Sequence, residues 1–479
     1  MDHPSDPAPS SHGAAATGAP LPSPSPSASP SSTWPRRRLL SRLAGGAALG
    51  SLSLALPRAA NATVVPGRTS SYDAAVPLAW LRLALQLVQT TPGYSPPVAS
   101  RAFAYLGITV YEAVVPGMPR NRSLAGRLPG LTPLGGPAAP VLHWPTVANT
   151  AMAAILRALF PTTPAAGKVA IDLLEASQAS ALAAGVPPGL QRLSVERGRA
   201  VADHLFEWSR SDGGHEGYLR NFPSPPTSVP PVGPGLWVPT PPAFSPALQP
   251  FWGANRPFVL SAAAAFDPGP PTPYSEDPAS LFFLQALEVH DTGAHLSPEQ
   301  EAIARFWADD AGATATPPGH SLSILAQVLA QRGAHLDEAA EAAARVGMAV
   351  ADAFIACWLT KYRYNLLRPV TYIRKLIDES WSPLLVTPPF PEYTSGHSVQ
   401  SGAAEAVLTR LFGSAVAFTD HTHDARGLPP RTFPSFRAAA EEAAISRLYA
   451  GIHFRPAIER GLAQGRAVGA AVNALDLRC

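Results

Sequence analysis

Residues 336–366 read LDEAAEAAARVGMAVADAFIACWLTKYRYNL, with alanine, valine, leucine and aromatic residues recurring at three- and four-residue spacings and no proline. That period belongs to a helix with an apolar face turned into a core. The pattern recurs near 73–91, 97–115, 145–160, 164–184 and 188–210, then at 279–292, 298–310 and 319–333, and again at 395–412, 435–450 and 456–476. Proline and glycine turns separate the segments, and strand signals are nearly absent. About a dozen helices without strands predict an all-α fold, a multi-helix bundle. One interval breaks the period: residues 223–278 hold 17 prolines in 56 residues, interleaved with Trp237, Phe244, Phe251, Trp252 and Phe258. A flexible linker is rich in Gly and Ser and poor in aromatics. The interval therefore reads as an extended strap laying its rings on the helices, at the surface or as the roof of a pocket. The mature chain divides into an N-terminal helical bundle (63–222), the strap (223–278) and a C-terminal helical bundle (279–479).

The chain has 479 residues, 36 Lys+Arg against 34 Asp+Glu, and two cysteines. Cys357 and Cys479 exclude a disulfide framework and any cysteine-based metal cluster. Residues 1–34 are almost wholly Ser, Pro, Ala and Gly, a composition that cannot bury a core and stays disordered. Residues 35–62 run through Arg36-Arg37-Arg38-Leu39-Leu40, a mildly apolar stretch from Leu43 to Leu56, and the small-residue site Ala60-Asn61-Ala62. That is the order of a secretory signal peptide, and paired arginines before a weakly hydrophobic run resemble the twin-arginine type. The expected location is periplasmic or extracellular. The apolar stretch is well short of the roughly 20 residues that a spanning helix needs, so no membrane span is expected in the mature chain. Residues 1–62 carry five arginines and two aspartates; without them 31 basic residues face 32 acidic ones, and no nucleic-acid footprint remains. Only Lys168, Lys361 and Lys375 are lysines.

Three short segments near the C-terminus concentrate polar chemistry. In Lys361-Tyr-Arg-Tyr-Asn-Leu-Leu-Arg368-Pro369 two helical turns would place Lys361 and Arg368 on one face, about 10 Å apart. Pro369 should end or kink that helix. In Pro389-Phe390-Pro391-Glu392-Tyr393-Thr394-Ser395-Gly396-His397, Ser395 is placed as a helix N-cap. The first-turn amides, aided by Gly396, would then form an oxyanion site, with His397 as a proton-transfer group. In Ser446-Arg447-Leu-Tyr-Ala-Gly-Ile-His453-Phe-Arg-Pro456, Gly451 turns the chain so that Arg447 and His453 converge, and Pro456 suits the first turn of the next helix. Three cations, a serine, helix-start amides and two histidines suit a tetrahedral oxyanion, one histidine coordinating or attacking its centre and the other shuttling protons.

These segments resemble the three-part signature of the acid phosphatase and vanadium haloperoxidase superfamily: K-x6-R-P, P-S-G-H and S-R-x5-H-x3-D. Lys361 to Pro369 fits the first part, and Ser395, Gly396 and His397 fit the second, with Thr394 replacing its proline. Ser446, Arg447 and His453 fit the third, but its closing Asp falls on Ala457, with Glu459 the nearest carboxylate. In the phosphatases that Asp orients the nucleophilic histidine, so its loss weakens a phosphatase reading and leaves open what holds the His453 ring. Trp358 and the Pro-Phe-Pro-x-Tyr run are similar to soluble vanadium chloroperoxidases. The likeness implies vanadate as cofactor with His453 as its axial ligand and His397 as the acid/base group. Lys361, Arg368, Ser395, Gly396 and Arg447 would hold the vanadate oxygens, while Phe390 and Trp358 would border the halide. Phe390 leans the halide choice toward chloride. The implied reaction oxidises halide with hydrogen peroxide, with a small organic acceptor as a further partner and a homodimer left open. A secreted acid phosphatase, binding phosphate and forming a phosphohistidine at His453, is the second reading. An inactive oxyanion-binding or cell-surface protein is the third.

Other clusters carry less. Asp420-His421-Thr422-His423-Asp424 resembles a metal cluster but reads better as a hydrogen-bonded loop near the active site. Asp309-Asp310 and His290-Asp291 either orient active-site cations or cap helices. No P-loop, dinucleotide fingerprint or Ser/His/Asp hydrolase elbow is present.

Overall fold

A computed structural model describes residues 67–135, 141–223 and 229–479. The segments 1–34 and 35–62, expected to be disordered and a signal peptide, lie outside the described residues. Thirteen α-helices follow in order: α1 Ala75–Thr90, α2 Pro96–Val114, α3 Trp144–Leu159, α4 Ala165–Leu182, α5 Pro188–Ser209, α6 Leu281–Ala294, α7 Pro298–Phe306, α8 Thr316–Gln331, α9 Leu336–Tyr364, α10 Pro369–Leu376, α11 Gly396–Phe412, α12 Phe436–Tyr449 and α13 Arg455–Ala474. Their boundaries are written locally. Ser280, Ser297, Ser395 and Ser435 each accept a hydrogen bond from an amide in the first turn they cap. Prolines occupy the first turn of α2, α3, α5 and α13, where their missing N–H costs nothing. One short antiparallel ribbon, β1 Phe418–Asp420 with β2 Arg431–Phe433, is the strand pair among the described residues, pairing Phe418 with Phe433.

The axis of the core is the crossing of α2 and α9, which joins the parts of the chain before and after the strap in one hydrophobic cluster. Both helices are long and apolar enough to cross a bilayer by composition, yet 94% of each such window is buried inside the bundle, the setting of a core helix. Their backbones touch at Gly107, where a Cβ would stand 2.2 Å from the Ala343 carbonyl oxygen. A second close crossing joins α11 to α13, and a Cβ on Gly465 would stand 2.0 Å from the Val399 oxygen. Because that crossing positions His397 relative to His453, Gly465→Ala should destabilise the fold by about 1–3 kcal/mol through overpacking, measured as a lower denaturant midpoint at unchanged slope.

The strap crosses the helices as expected, and α9 fixes it. The fully buried Asp352 carboxylate accepts from three successive strap amides, Phe258 (2.7 Å), Val259 (2.8 Å) and Leu260 (3.2 Å). Trp237, Trp252 and Phe258 bury their rings, whereas Phe244 and Phe251 stay more than half exposed, so only part of the expected ring packing forms. Asp352→Ala would orphan three buried amides, so roughly 3 kcal/mol of stability should be lost and limited proteolysis should cut first within the strap. Further along, Trp237 N donates to the Asn365 oxygen and Leu367 N to the Gly235 oxygen, tying the strap to the loop that carries Arg368.

Candidate functional site

The sequence expectation for the first motif needs correction. Helix α9 stops at Tyr364 because Asn365 takes a left-handed conformation (φ 45°), which asparagine tolerates better than most residues. Lys361 and Arg368 therefore do not share a helical face, and Arg368 instead becomes the N-cap of α10, with Pro369 in its first turn. The two cations still meet, through tertiary structure: Lys361 Nζ lies 5.0 Å and Arg368 Cζ 4.9 Å from the centre of the Phe390 ring. The other two motifs fold as read. Ser395 caps α11, and the chain leaves α12 just after Arg447, turns at Gly451 and enters α13 with Pro456 in its first turn. The Tyr393–Thr394 peptide, where the signature has proline, is cis.

Around His453 the contacts are specific. Its Nδ1 is 2.8 Å from Glu392 Oε1, which also accepts from the Phe454 amide at 2.9 Å. A carboxylate acceptor on Nδ1 fixes the proton there and leaves Nε2 as an acceptor. Arg368 Nη1 stands 3.2 Å from that Nε2 and donates also to the Ile452 carbonyl, while Arg368 Nη2 is buried without a partner. Burial, then the charges of Arg368 and Lys361, hold His453 well below the usual histidine range, so the ring is neutral. His397 is likewise held well below that range, by burial first and Arg447 second, and its Nε2 lacks a partner.

Glu392 answers the question left by Ala457. The closing Asp of the signature is replaced by a buried alanine whose carbonyl accepts from Ser395 N, and Glu459 is exposed. The carboxylate that holds the histidine comes instead from the second motif. Burial pushes Glu392 up to about 7, against the pull of Arg368 and Lys361. No motif spacing assigns Glu392 a role. The available signal was a lone acid inside the apolar run Pro-Phe-Pro-Glu-Tyr.

Three cations sit in this region without a carboxylate partner. Lys361, Arg368 and Arg447 are at most 1% exposed, and no ion pair of theirs is present among the described residues. Lys361 Nζ donates to the Pro391 and Glu392 carbonyls at 2.9 Å each, and Arg447 donates to Ser446 Oγ and the Ala304 carbonyl. Burial lowers Lys361 to about 7 and each arginine to about 10. Desolvated cations without a close ion-pair partner are costly, and a bound anion would offset that cost. A cavity of about 670 Å³ opens beside them, walled by Gly396, His397, Arg447 and His453 on one side and by Trp358, Phe390, Phe354 and Leu248 on another. Lys361, Arg368 and Ser395 lie behind this wall rather than on it; the Ser395 hydroxyl accepts from the Ser398 amide. Trp358 packs on Phe390 with ring centres 4.9 Å apart and donates to the carbonyl of Leu248, the one strap residue on the cavity wall among the described residues. Replacing Lys361 by arginine forces a larger planar group into a closed site shaped for one ammonium. Lys361→Arg should lower oxyanion affinity at least about tenfold and destabilise the fold by about 1–3 kcal/mol, checked by calorimetry and thermal melting.

The remaining candidates separate. Asp309 and Asp310 reach the cavity wall. His290 and Asp291 pair with each other on partly exposed α6, away from the cavity. His421 is exposed and paired with Asp424, whereas Asp420 and His423 turn inward to His320 and Asp309. His320, absent from the sequence candidates, is a second residue that reasoning missed.

Fold and site together define a helical bundle in which three buried cations gather beside a carboxylate-held histidine at one cavity. Comparison with known proteins narrows the class. The family model for the second helical-bundle domain of VCPO matches residues 341–478. A solved structure described as the first bacterial vanadium-dependent iodoperoxidase is similar at 38% identity and TM-score 0.77, covering 85% of this chain and 97% of that one. Holo-type and apo-type bacterial vanadium-dependent chloroperoxidases share the fold at 18% and 17% identity, with TM-scores of 0.62 and 0.64 and 81% and 84% of this chain covered, against 93% and 98% of theirs. No curated protein matches the chain. The chain belongs to the vanadium-dependent haloperoxidase family, among the oxidoreductases of peroxidase type.

Proposed function

We propose that this enzyme holds vanadate on His453 and oxidises halide with hydrogen peroxide, passing the oxidised halogen to a small apolar organic acceptor. The observation that carries this reading is the junction of three buried cations without ion-pair partners and a neutral histidine whose Nε2 lone pair faces the Arg368 guanidinium. The residues fit the cofactor: Arg368 Nη2 is an unpartnered buried donor, and at Gly396 an added Cβ would meet only Trp358, at 3.7 Å, so the wall has room for an oxyanion. When bound, vanadate supplies Lewis acidity that activates peroxide, at constant oxidation state.

The chain's own residues supply the rest. His453 offers Nε2 because Nδ1–H is committed to Glu392. Lys361, Arg368 and Arg447 balance the anion's charge, assisted by first-turn amides of α11. Ser395 acts through α11, whose start it caps, so the expected direct contact from its hydroxyl becomes a positioning role in this proposal. Halide oxidation to hypohalous acid consumes one proton per turnover, and His397, neutral with an unpartnered Nε2, is the group placed to take up a proton and relay it. Trp358 and Phe390 keep water from the anion and border the halide. The similar iodoperoxidase makes iodide the first halide to try. The apolar outer wall, with Tyr94, Phe222, Leu385 and Val386, suits an aromatic acceptor of modest size. We also propose export by the twin-arginine route. Vanadate titration of the purified chain by calorimetry should show one site per chain, weakened at least about 100-fold in His453→Ala; unchanged binding in that variant would overturn the site.

Glu392 performs the task of the missing Asp, so the feature that supported an inactive protein loses its force. A phosphatase would use the same pocket, but no observation in it favours a phosphate ester over halide beside an apolar wall.

A further inference from the structure

A second polar cluster lies beside the oxyanion cavity. Asp309 follows α7, His320 sits on α8 and His423 follows β1, yet their side chains meet, each about 1% exposed. His320 Nδ1 is 2.9 Å from Asp309 Oδ2, and His423 Nε2 is 3.2 Å from Asp309 Oδ1. One nitrogen or oxygen atom from each of the three residues lies within 4.8 Å of the others. Behind them, His320 Nε2 is 2.6 Å from Asp420 Oδ2, while Asp420 Oδ1 accepts from the Thr422 amide and hydroxyl and from Gln327. Trp307 stacks on His320 at 4.4 Å, and Phe306 meets His423 edge-on at 5.0 Å, fixing both ring planes.

With Nε2–H committed to Asp420, the Nδ1 of His320 faces the Asp309 carboxylate, and either a proton or a cation must stand between them. Asp309 Oδ1 and His423 Nε2 are buried at 3.2 Å with no aligned hydrogen bond to each other or to any other group. A divalent cation would give both atoms a partner beside the two buried carboxylates, Asp309 and Asp420. Asp309 moreover holds a left-handed backbone (φ 50°), a conformation that persists when its surroundings enforce it.

We propose that Asp309, His320 and His423 bind a divalent first-row transition-metal ion of the zinc class, with Asp420 as the outer carboxylate that orients His320. Two imidazoles and a carboxylate are a ligand set such ions favour, and a carboxylate behind a ligating histidine is their usual support. The ion would anchor the Asp309 loop, one wall of the oxyanion cavity. This inference stands apart from the vanadate reading and does not depend on it.

The test uses the full chain, purified without affinity histidines, stripped with chelator, loaded with Zn2+ and gel-filtered. Elemental analysis should find one zinc per chain, falling at least about tenfold in His423→Ala, and Asp420→Asn should weaken zinc binding roughly 10- to 100-fold. Co2+ in place of Zn2+ should give strong visible ligand-field bands in the wild type, a readout that needs no variant to fold. A folded wild type that retains no zinc and gives only the weak spectrum of hydrated cobalt overturns the proposal. So does zinc that leaves with His453→Ala and stays in His423→Ala, because it would then occupy the oxyanion pocket.

Discussion

His453→Ala should lower vanadate affinity by at least about 100-fold and halide oxidation by at least about 1,000-fold, because the variant removes the lone pair that would hold vanadate under the proposed function. The surrounding cations would remain, so weak anion binding persists and the chain stays folded. His397→Ala provides the contrast. It removes a proton-transfer group while leaving Glu392, His453 and Arg368 in contact, so vanadate binding should change little and turnover should fall by about 100- to 10,000-fold. Calorimetry for binding and peroxide-dependent iodide oxidation for turnover separate the two roles. Equal losses of affinity in both variants would refute this division of labour.

The second large effect concerns Glu392. Removing its carboxylate in Glu392→Ala leaves His453 Nδ1 and the Phe454 amide without an acceptor and frees the ring to change tautomer. Vanadate affinity should drop by roughly 100-fold. Glu392→Gln keeps an acceptor oxygen for the ring without the charge, so its loss should be nearer tenfold. That order, alanine worse than glutamine worse than wild type, distinguishes a positioning acceptor from a bystander. If Glu392→Ala bound vanadate like the wild type, another group would have to hold the ring, and Glu459, exposed on α13, is not placed to do so.

What the sequence carried well was periodicity. Helices at three- and four-residue spacing, Ser caps and first-turn prolines are local features, and the bundle follows from them. Motif spacing likewise located Lys361, Arg368, His397, Arg447 and His453. What it did not carry was the tertiary route by which these residues meet. The first motif looked like one helical face, but Asn365 ends α9 early, and the cations converge on Phe390 through a loop that the strap holds in place. The orienting carboxylate was sought four residues after His453, where the signature puts it. Space admits Glu392 equally well from 61 residues upstream, a separation no local pattern reveals. His320 was invisible for the same reason, since its partners Asp309 and Asp420 lie 11 and 100 residues away.

The central claim is that the buried cations and His453 serve halide oxidation through vanadate. The most direct test is a vanadate titration of the purified chain, followed in parallel for peroxide-dependent iodide and bromide oxidation and for phosphate-ester hydrolysis. The account predicts halide oxidation that rises with vanadate and saturates at one equivalent per chain, with no hydrolysis at any point. Hydrolysis by the vanadate-free chain that vanadate abolishes, with no halide oxidation appearing, would contradict it.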